Sequence, residues 1–213
     1  MLPARVQVPD VDARALADQV NQAVHELLTE AGIDFVPVAD YIAYEQEIAA
    51  TLGGSFDIYT GEQDVEKAKT INELAIREFE RKEQFDAYLI PGIVRVNAPY
   101  NANVARWDGI ERQAPGKKTG FLSGGGEFRG YLPAASAMIT LIDKTEADKG
   151  YYIKRGGIEL LAYTIPNIMG SIKLRMAPLE SRLQDDALNR EGLSIAIAPL
   201  LAALNGETAG EAE

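Results

Sequence analysis

His25 is the only histidine in the chain, and cysteine does not occur in it. Nucleophilic and metal chemistry is therefore limited to one imidazole, hydroxyls and carboxylates. A helical zinc pair needs a second ligand four residues on, where Thr29 stands, and a catalytic dyad needs a serine held against the imidazole. Ser123, Ser136, Ser171 and Ser181 are present, but none lies in a G-x-S-x-G elbow. These patterns assign no catalytic residue and no metal ligand. Carboxylates remain: Asp108, Glu111 and Glu159, with Arg155, fall in one strand-rich block. If they converge, they offer a paired-carboxylate or small-molecule site. Strand alternation offers the simpler expectation of solvent-facing side chains.

Two glycine-containing runs have part of a phosphate-binding pattern. Gly116-Lys117-Lys118-Thr119 ends like a Walker loop, but the spacing requires glycine at 111, which is Glu111. Gly124-Gly125-Gly126 fails the dinucleotide fingerprint because Arg129 takes the place of the last glycine. No cofactor is expected from either. Both runs lie in a glycine-rich loop read from Gln113 to Pro133. Loops of this length inside compact domains are uncommon and often functional. Phe128, Arg129 and Tyr131 are on it, and Tyr100 and Trp107 are on the hairpin before it. Aromatic and arginine side chains on exposed loops suit protein contact better than bond-making. These five are the candidate partner-binding residues, with Trp107 readable either as hairpin core or as an exposed anchor.

Composition narrows the partners. A formal charge of -11 over 213 residues opposes nucleic acid, which needs clustered Lys and Arg, and repels anionic lipid. No run of 18 or more apolar residues suggests a transmembrane segment. Lack of cysteine fits either a chain that happens to have none or an exported protein whose signal peptide and lipid-bearing Cys precede Met1.

The candidate residues must be positioned by the following elements. A short strand at Arg5–Val8 precedes a helix capped by Asp12, carrying Leu16, Val20, Val24 and Leu27 at helical spacing and closed by Gly32. Phe35–Val38 reads as a second strand. Asp40 is expected to cap a helix ending at Gly53-Gly54, and Thr60 with Gln63 a third one running to about Glu83, with Ile71, Ala75 and Phe79 on its buried side. The period then switches. Ala87–Val96 is expected to be one strand interrupted by a bulge or bend at Pro91-Gly92, with a turn at Asn97–Asn101 and a return strand from Val104 to Glu111. Ala135–Asp143 and Tyr151–Leu161 should pair, with Gly156-Gly157 marking a bulge or close approach. Ile165–Leu183 reads as a broken amphipathic segment. Asp185 or Asp186 caps a last helix that Pro199 should kink or shorten. These elements predict a single α/β domain over residues 1–205, with a mixed sheet of five or six strands and helices mainly on one face. Residues 206–213 form an acidic tail, expected to be disordered.

That order of elements resembles a group of bacterial envelope domains: the curli-secretion lipoproteins, the amino-terminal domain of TolB, and the lipoprotein activators of penicillin-binding proteins. Ala15–Val20 with Ala31–Val38 resembles their first helix and second strand. Phe85-Asp86-Ala87-Tyr88-Leu89-Ile90-Pro91-Gly92 resembles a pattern of the GADYLLTG type, and Ile139–Asp143 with Ile153–Gly157 resembles their closing hairpin. The resemblance implies a TolB amino-terminal-domain-like fold and a non-enzymatic periplasmic component, a processed lipoprotein held at the outer membrane by an anchor upstream of Met1. It would assemble with itself or with other envelope proteins, through an exposed sheet edge or through the hairpin and loop. It transfers no catalytic residue. The alternative is a cytosolic enzyme or small-molecule binder built on Asp108, Glu111, Arg155 and Glu159, and a third reading is a structural subunit packed against identical copies.

Overall fold

A computed structural model describes residues 1–8, 12–56, 60, 62–101, 104–113, 129–144, 151–166, 172–176, 183 and 185–204. Among these residues the chain is mixed α/β, with four helices and an open, largely antiparallel sheet of six strands. The order is β1 (Arg5–Gln7), α1 (Ala13–Glu30), α2 (Val38–Leu52), α3 (Val65–Lys82), β2 (Ala87–Asn101), β3 (Val104–Trp107), β4 (Ile110–Gln113), β5 (Arg129–Asp143), β6 (Tyr151–Leu160), β7 (Ala162–Pro166), β8 (Ile172–Met176) and α4 (Asp186–Leu204). The expected acidic tail lies outside the described residues.

The centre of the sheet is the pair β2 and β5, antiparallel and in unbroken register from Ala87↔Asp143 to Asn101↔Arg129. No bend interrupts it at Pro91-Gly92, and Asn97–Asn101 is strand rather than turn. Leu2 N–H donates to Leu89 O at 2.9 Å. Leu89 therefore turns its backbone groups away from β5, as does every second residue after it, Pro91 and Pro99 included. Neither proline takes a donor from the central ladder, which is why both fit within a long strand. Gly92 serves the opposite neighbour. A Cβ there would stand 2.6 Å from Arg5 O, so only glycine admits β1, which pairs in parallel with Gly92–Val94.

Helices cover both faces of this pair, not mainly one. Leu16, Val20, Val24 and Leu28 of α1 and Leu193, Ala196, Ile197 and Leu200 of α4 pack on the side of Leu89, Ile93, Ala137 and Ile139. Tyr41 of α2 and Ala75 and Phe79 of α3 pack on the opposite side, over Ile90. Arg190 of α4 binds Glu26 and Glu30 and ties α4 to α1.

The helix ends correct several expectations. Asp12 caps α1, accepting from Arg14 and Ala15 N–H at 3.1 Å each, and Asp185 caps α4. Asp40, however, lies in the first turn of α2, whose N-cap is Pro37. The N-cap of α3 is Asp64, accepting from Lys67 N–H at 3.0 Å, while Thr60 accepts from Glu62 N–H. Phe35–Val38 is not a strand: Val38 opens α2, and Val36 O accepts the Met1 amine at 2.7 Å. In place of the broken amphipathic segment expected from Ile165, β7 and β8 pair antiparallel from Ala162↔Met176 to Pro166↔Ile172. Pro199 does not shorten α4, which runs on to Leu204.

Candidate functional site

Residues 95–101 of β2 and 129–135 of β5 form an arm whose inner face, with Ala98, Tyr100 and Leu132, is closed by the β3–β4 hairpin. The sequence signal for that hairpin is Asp108-Gly109 between alternating residues, and it was missed in reading Val104–Glu111 as one strand. Asp108 has φ 41° and Gly109 φ 84°, the pair of positive values a two-residue type I′ turn requires. Trp107 then pairs with Ile110 and Ala105 with Arg112. Ala105, Trp107 and Ile110 pack on Ala98, Tyr100, Leu132 and Leu160.

The turn is anchored by three polar contacts. Gly157 N–H donates to Asp108 O at 2.8 Å, and the buried Ser136 hydroxyl donates to Asp108 Oδ2 at 2.7 Å. Trp107 Nε1–H donates to Ala135 O at 3.2 Å. Gly157 is needed here because its Cβ would lie 2.3 Å from Ile110 Cγ1. The register of β5 with β6 shifts between Ala135 and Ser136, leaving Ile158 as the extra residue, so the glycine pair is a close approach and the bulge follows it. Arg112 reaches α4, binding Glu191 at 2.6 Å.

These contacts separate the candidate residues. Trp107 and Tyr100, 7% and 8% exposed, belong to the hairpin core and not to an outer surface. Arg129 and Tyr131 are exposed, not on a loop but in β5, which begins at Arg129. Tyr131, opposite Pro99, is 70% exposed, and Arg129 is opposite Asn101. Both line a shallow depression that Pro99, Tyr100, Asn101, Val104, Arg106 and Gly130 complete. Phe128 lies outside the described residues, as does most of the glycine-rich loop.

The carboxylate set does not converge. Glu111 is paired with Arg106 at 2.7 Å on the solvent side of the hairpin. Asp108 sits against Ser136, whereas Glu159 stands beside Ala135, whose side chain leaves the other face of the sheet. Arg155 is exposed beside Met138. Half-buried His25 meets the ring of Phe35 edge-on at 5.0 Å, and no group of three potential metal ligands occurs among the described residues.

Comparison with protein-family models, curated proteins and solved structures gave no match.

The arm face and a second feature, not foreseen in the sequence, are therefore weighed on chemistry alone. On the arm, Arg95, Arg106 and Arg129 share the outer face with Tyr131 and Pro99, against a chain of net charge -11. Arginine beside an exposed aromatic on a rigid strand is the composition of protein contact surfaces. The second feature is a cavity of about 390 Å³ at the other end of the sheet, where the 33–36 segment meets the start of β2 and the C-terminal end of α4. The aliphatic Leu28, Leu89, Leu141 and Leu200 and the aromatic Phe35, Phe79, Phe85 and Tyr88 line its wall. It was missed because Phe35 and Val36, read as strand residues, in fact supply wall to a space assembled from distant segments.

The aromatic part of the wall belongs to a cluster. Phe79 and Phe85 have centroids 5.2 Å apart, and Phe85 and Tyr88 4.9 Å. Tyr88 donates to Glu80, and burial, then that bond, pushes its phenol well above the usual range. Tyr44 donates to Glu83 at 2.7 Å, a bond that chiefly holds its phenol up at about 12. Burial raises Tyr41 to about 12.

Among the described residues one helix, α4, is long and apolar enough to cross a membrane by length and composition. Gly192 packs it against Gly156, and Leu193, Ala196 and Ile197 bury it in the core. Of that apolar stretch, 33% is buried inside the structure.

Proposed function

We propose that this chain is a non-catalytic protein-docking component of the bacterial envelope, with a TolB amino-terminal-domain-like build and periplasmic placement as a processed lipoprotein. It assembles with itself or with a second envelope protein through the outer face of the arm. The observation that carries this reading is Tyr131, 70% exposed on a strand held in register along its length, with Arg129 two residues away on the same face. A residue whose backbone is already fixed in a strand has no backbone freedom left to lose on binding, so an aromatic there adds contact area at low entropic cost. The segments Ala15–Val20, Phe85–Gly92 and Ile139–Asp143 support the envelope assignment by resemblance.

The test combines sedimentation of the purified chain with photo-crosslinking from position 131 in bacterial cells expressing it. The reading expects either a concentration-dependent oligomer or a discrete adduct, abolished by Arg129→Ala with Tyr131→Ala. The same double variant leaves thermal stability unchanged. A monomer without adduct, or association indifferent to both substitutions, overturns it.

A further inference from the structure

At the outer edge of β6, away from the arm face, strand geometry, exposure and charge point to one kind of partner. β6 ends the order β4-β3-β2-β5-β6, and among the described residues no strand pairs with its far side. Which of its backbone groups face outward follows from the ladder. Leu89 turns its groups away from β5, so Tyr88 and Ile90 face it and bond Ile142 and Thr140. Leu141 and Ile139 then face β6, where they meet Tyr152 and Lys154. The groups of Tyr151, Ile153, Arg155 and Gly157 are left pointing outward. Gly157 bears this out, since its N–H donates to Asp108 O at 2.8 Å. The N–H and C=O groups of Ile153 and Arg155 have no such partner among the described residues. The Asp108 turn therefore closes the C-terminal end of this edge, and residues 151–155 stay open.

The side chains there carry a charge opposite to that of the chain. Ile153 is 49% exposed, and Lys154 and Arg155 are exposed beside it. Neither cation has an ion pair among the described residues, and Lys154 Nζ lies 5.6 Å from the centroid of the Tyr152 ring. Helix α4, seated on β6 through Gly156 and Gly192, has no charged residue from Gly192 to Leu204 to neutralise them. Lysine on a strand edge opposes pairing with a like edge. A second copy of β6 would bring both cation pairs onto one short ladder. The same charges favour a strand of opposite sign.

We propose that β6 accepts an extended acidic segment of a partner protein as a further strand. The main chain of that segment exchanges hydrogen bonds with Ile153 and Arg155. Its carboxylates stand opposite Lys154 and Arg155, and an apolar side chain lies opposite Ile153. Main-chain bonds supply the affinity, and the carboxylates select which strand is accepted.

An amide NMR titration with the capped peptide Thr-Val-Glu-Glu-Val-Thr tests this. The peptide reads the same in both directions and so allows either strand orientation. Saturable shifts at residues 151–155 are expected, with hydrogen exchange slowed at the Ile153 and Arg155 amides. Those of Tyr152 and Lys154, already bonded to β5, should not change. The peptide Thr-Val-Lys-Lys-Val-Thr should bind about tenfold more weakly, and Lys154→Gln with Arg155→Gln should weaken the acidic peptide by about the same factor. Lys69→Gln with Arg77→Gln removes the same charge from exposed positions of α3 and should leave affinity unchanged. Ile153→Pro removes one outward N–H without touching the β5 ladder and should abolish binding. If that variant fails to fold, the exchange pattern and the charge pairs decide the matter alone. Arg129→Ala with Tyr131→Ala should bind the peptide unchanged, which separates this edge from the arm. The proposal is overturned by no binding, by equal binding of both peptides, or by equal weakening from both charge pairs. Protection that misses Ile153 and Arg155 also overturns it, as does sedimentation as a dimer that Ile153→Pro dissolves.

Discussion

Gly156 of β6 and Gly192 of α4 are in backbone contact. A Cβ on Gly156 would stand 1.9 Å from Gly192 O, and one on Gly192 2.7 Å from Ile158 Cγ1. The helix is thereby seated on the strand with no side chain between them, and Leu193, Ala196 and Ile197 drop into the main core on either side.

Replacing either glycine therefore sets two effects against each other. Within a helix, Gly192→Ala should gain about 1 kcal/mol of propensity. Forcing α4 off β6 should cost more, about 1–3 kcal/mol or beyond. We expect Gly192→Ala to be destabilising despite its helical position, and Gly156→Ala, facing a backbone carbonyl, to be worse. Urea midpoints at constant slope measure both; a stabilised Gly192→Ala would show that the contact yields.

Trp107 is the only tryptophan, so its fluorescence reports the hairpin alone. Buried, with its indole N–H on Ala135 O, it should emit to the blue in the native chain and shift red on unfolding. Trp107→Phe keeps an aromatic ring but leaves that carbonyl without its donor, at a cost of about 1–3 kcal/mol. By contrast Tyr131→Phe on the outer face should change stability within about 0.5 kcal/mol. Chemical denaturation of the two variants side by side distinguishes core from surface.

The turn residues should respond differently to substitution. Gly109→Ala places a Cβ at φ 84° and 3.0 Å from Ile195 Cγ2, combining backbone strain with crowding. It should lower the thermal midpoint more than Asp108→Asn, since asparagine tolerates the left-handed region and still accepts from Ser136. Asp108→Ala should exceed Asp108→Asn, because it strands the buried Ser136 hydroxyl. Reversal of that last order would remove the Ser136 contact from the account.

Alkali should loosen the α2–α3 side of the molecule. Tyr41 and Tyr44 hold their protons to about 12 in the folded chain, against about 10 for an unfolded phenol. Between those values the unfolded chain has released protons that the native chain keeps, so stability falls as pH rises. The contribution is intact below about 10 and lost towards 12. Phenolate absorbance followed with pH should show delayed ionisation, and Tyr41→Phe should flatten the fall in stability over that window.

Much of the fold was legible in the sequence where the signal is local. Helical spacing marked α1, α3 and α4, and the capping residues Asp12 and Asp185 marked the starts of α1 and α4. Alternation marked β5, and the glycine pair at 156–157 marked a close approach before its partner was known. Of the candidate contact residues, Arg129 and Tyr131 proved exposed, but on a strand and not on a loop. Phe35 and Val36 misled because apolar residues were read as strand, although their apolar surface serves a cavity.

Amino-acid order by itself determined the absence of thiol chemistry, the single imidazole, the acidic balance and the periodic elements. Only the tertiary structure decided whether Pro91 and Pro99 end a strand or continue it, since that depends on which side the neighbouring strand lies. It likewise decided that Trp107 is core and Tyr131 surface. Alternation assigns side chains to two faces, but the folding of the β3–β4 hairpin over one of them determines which face meets water.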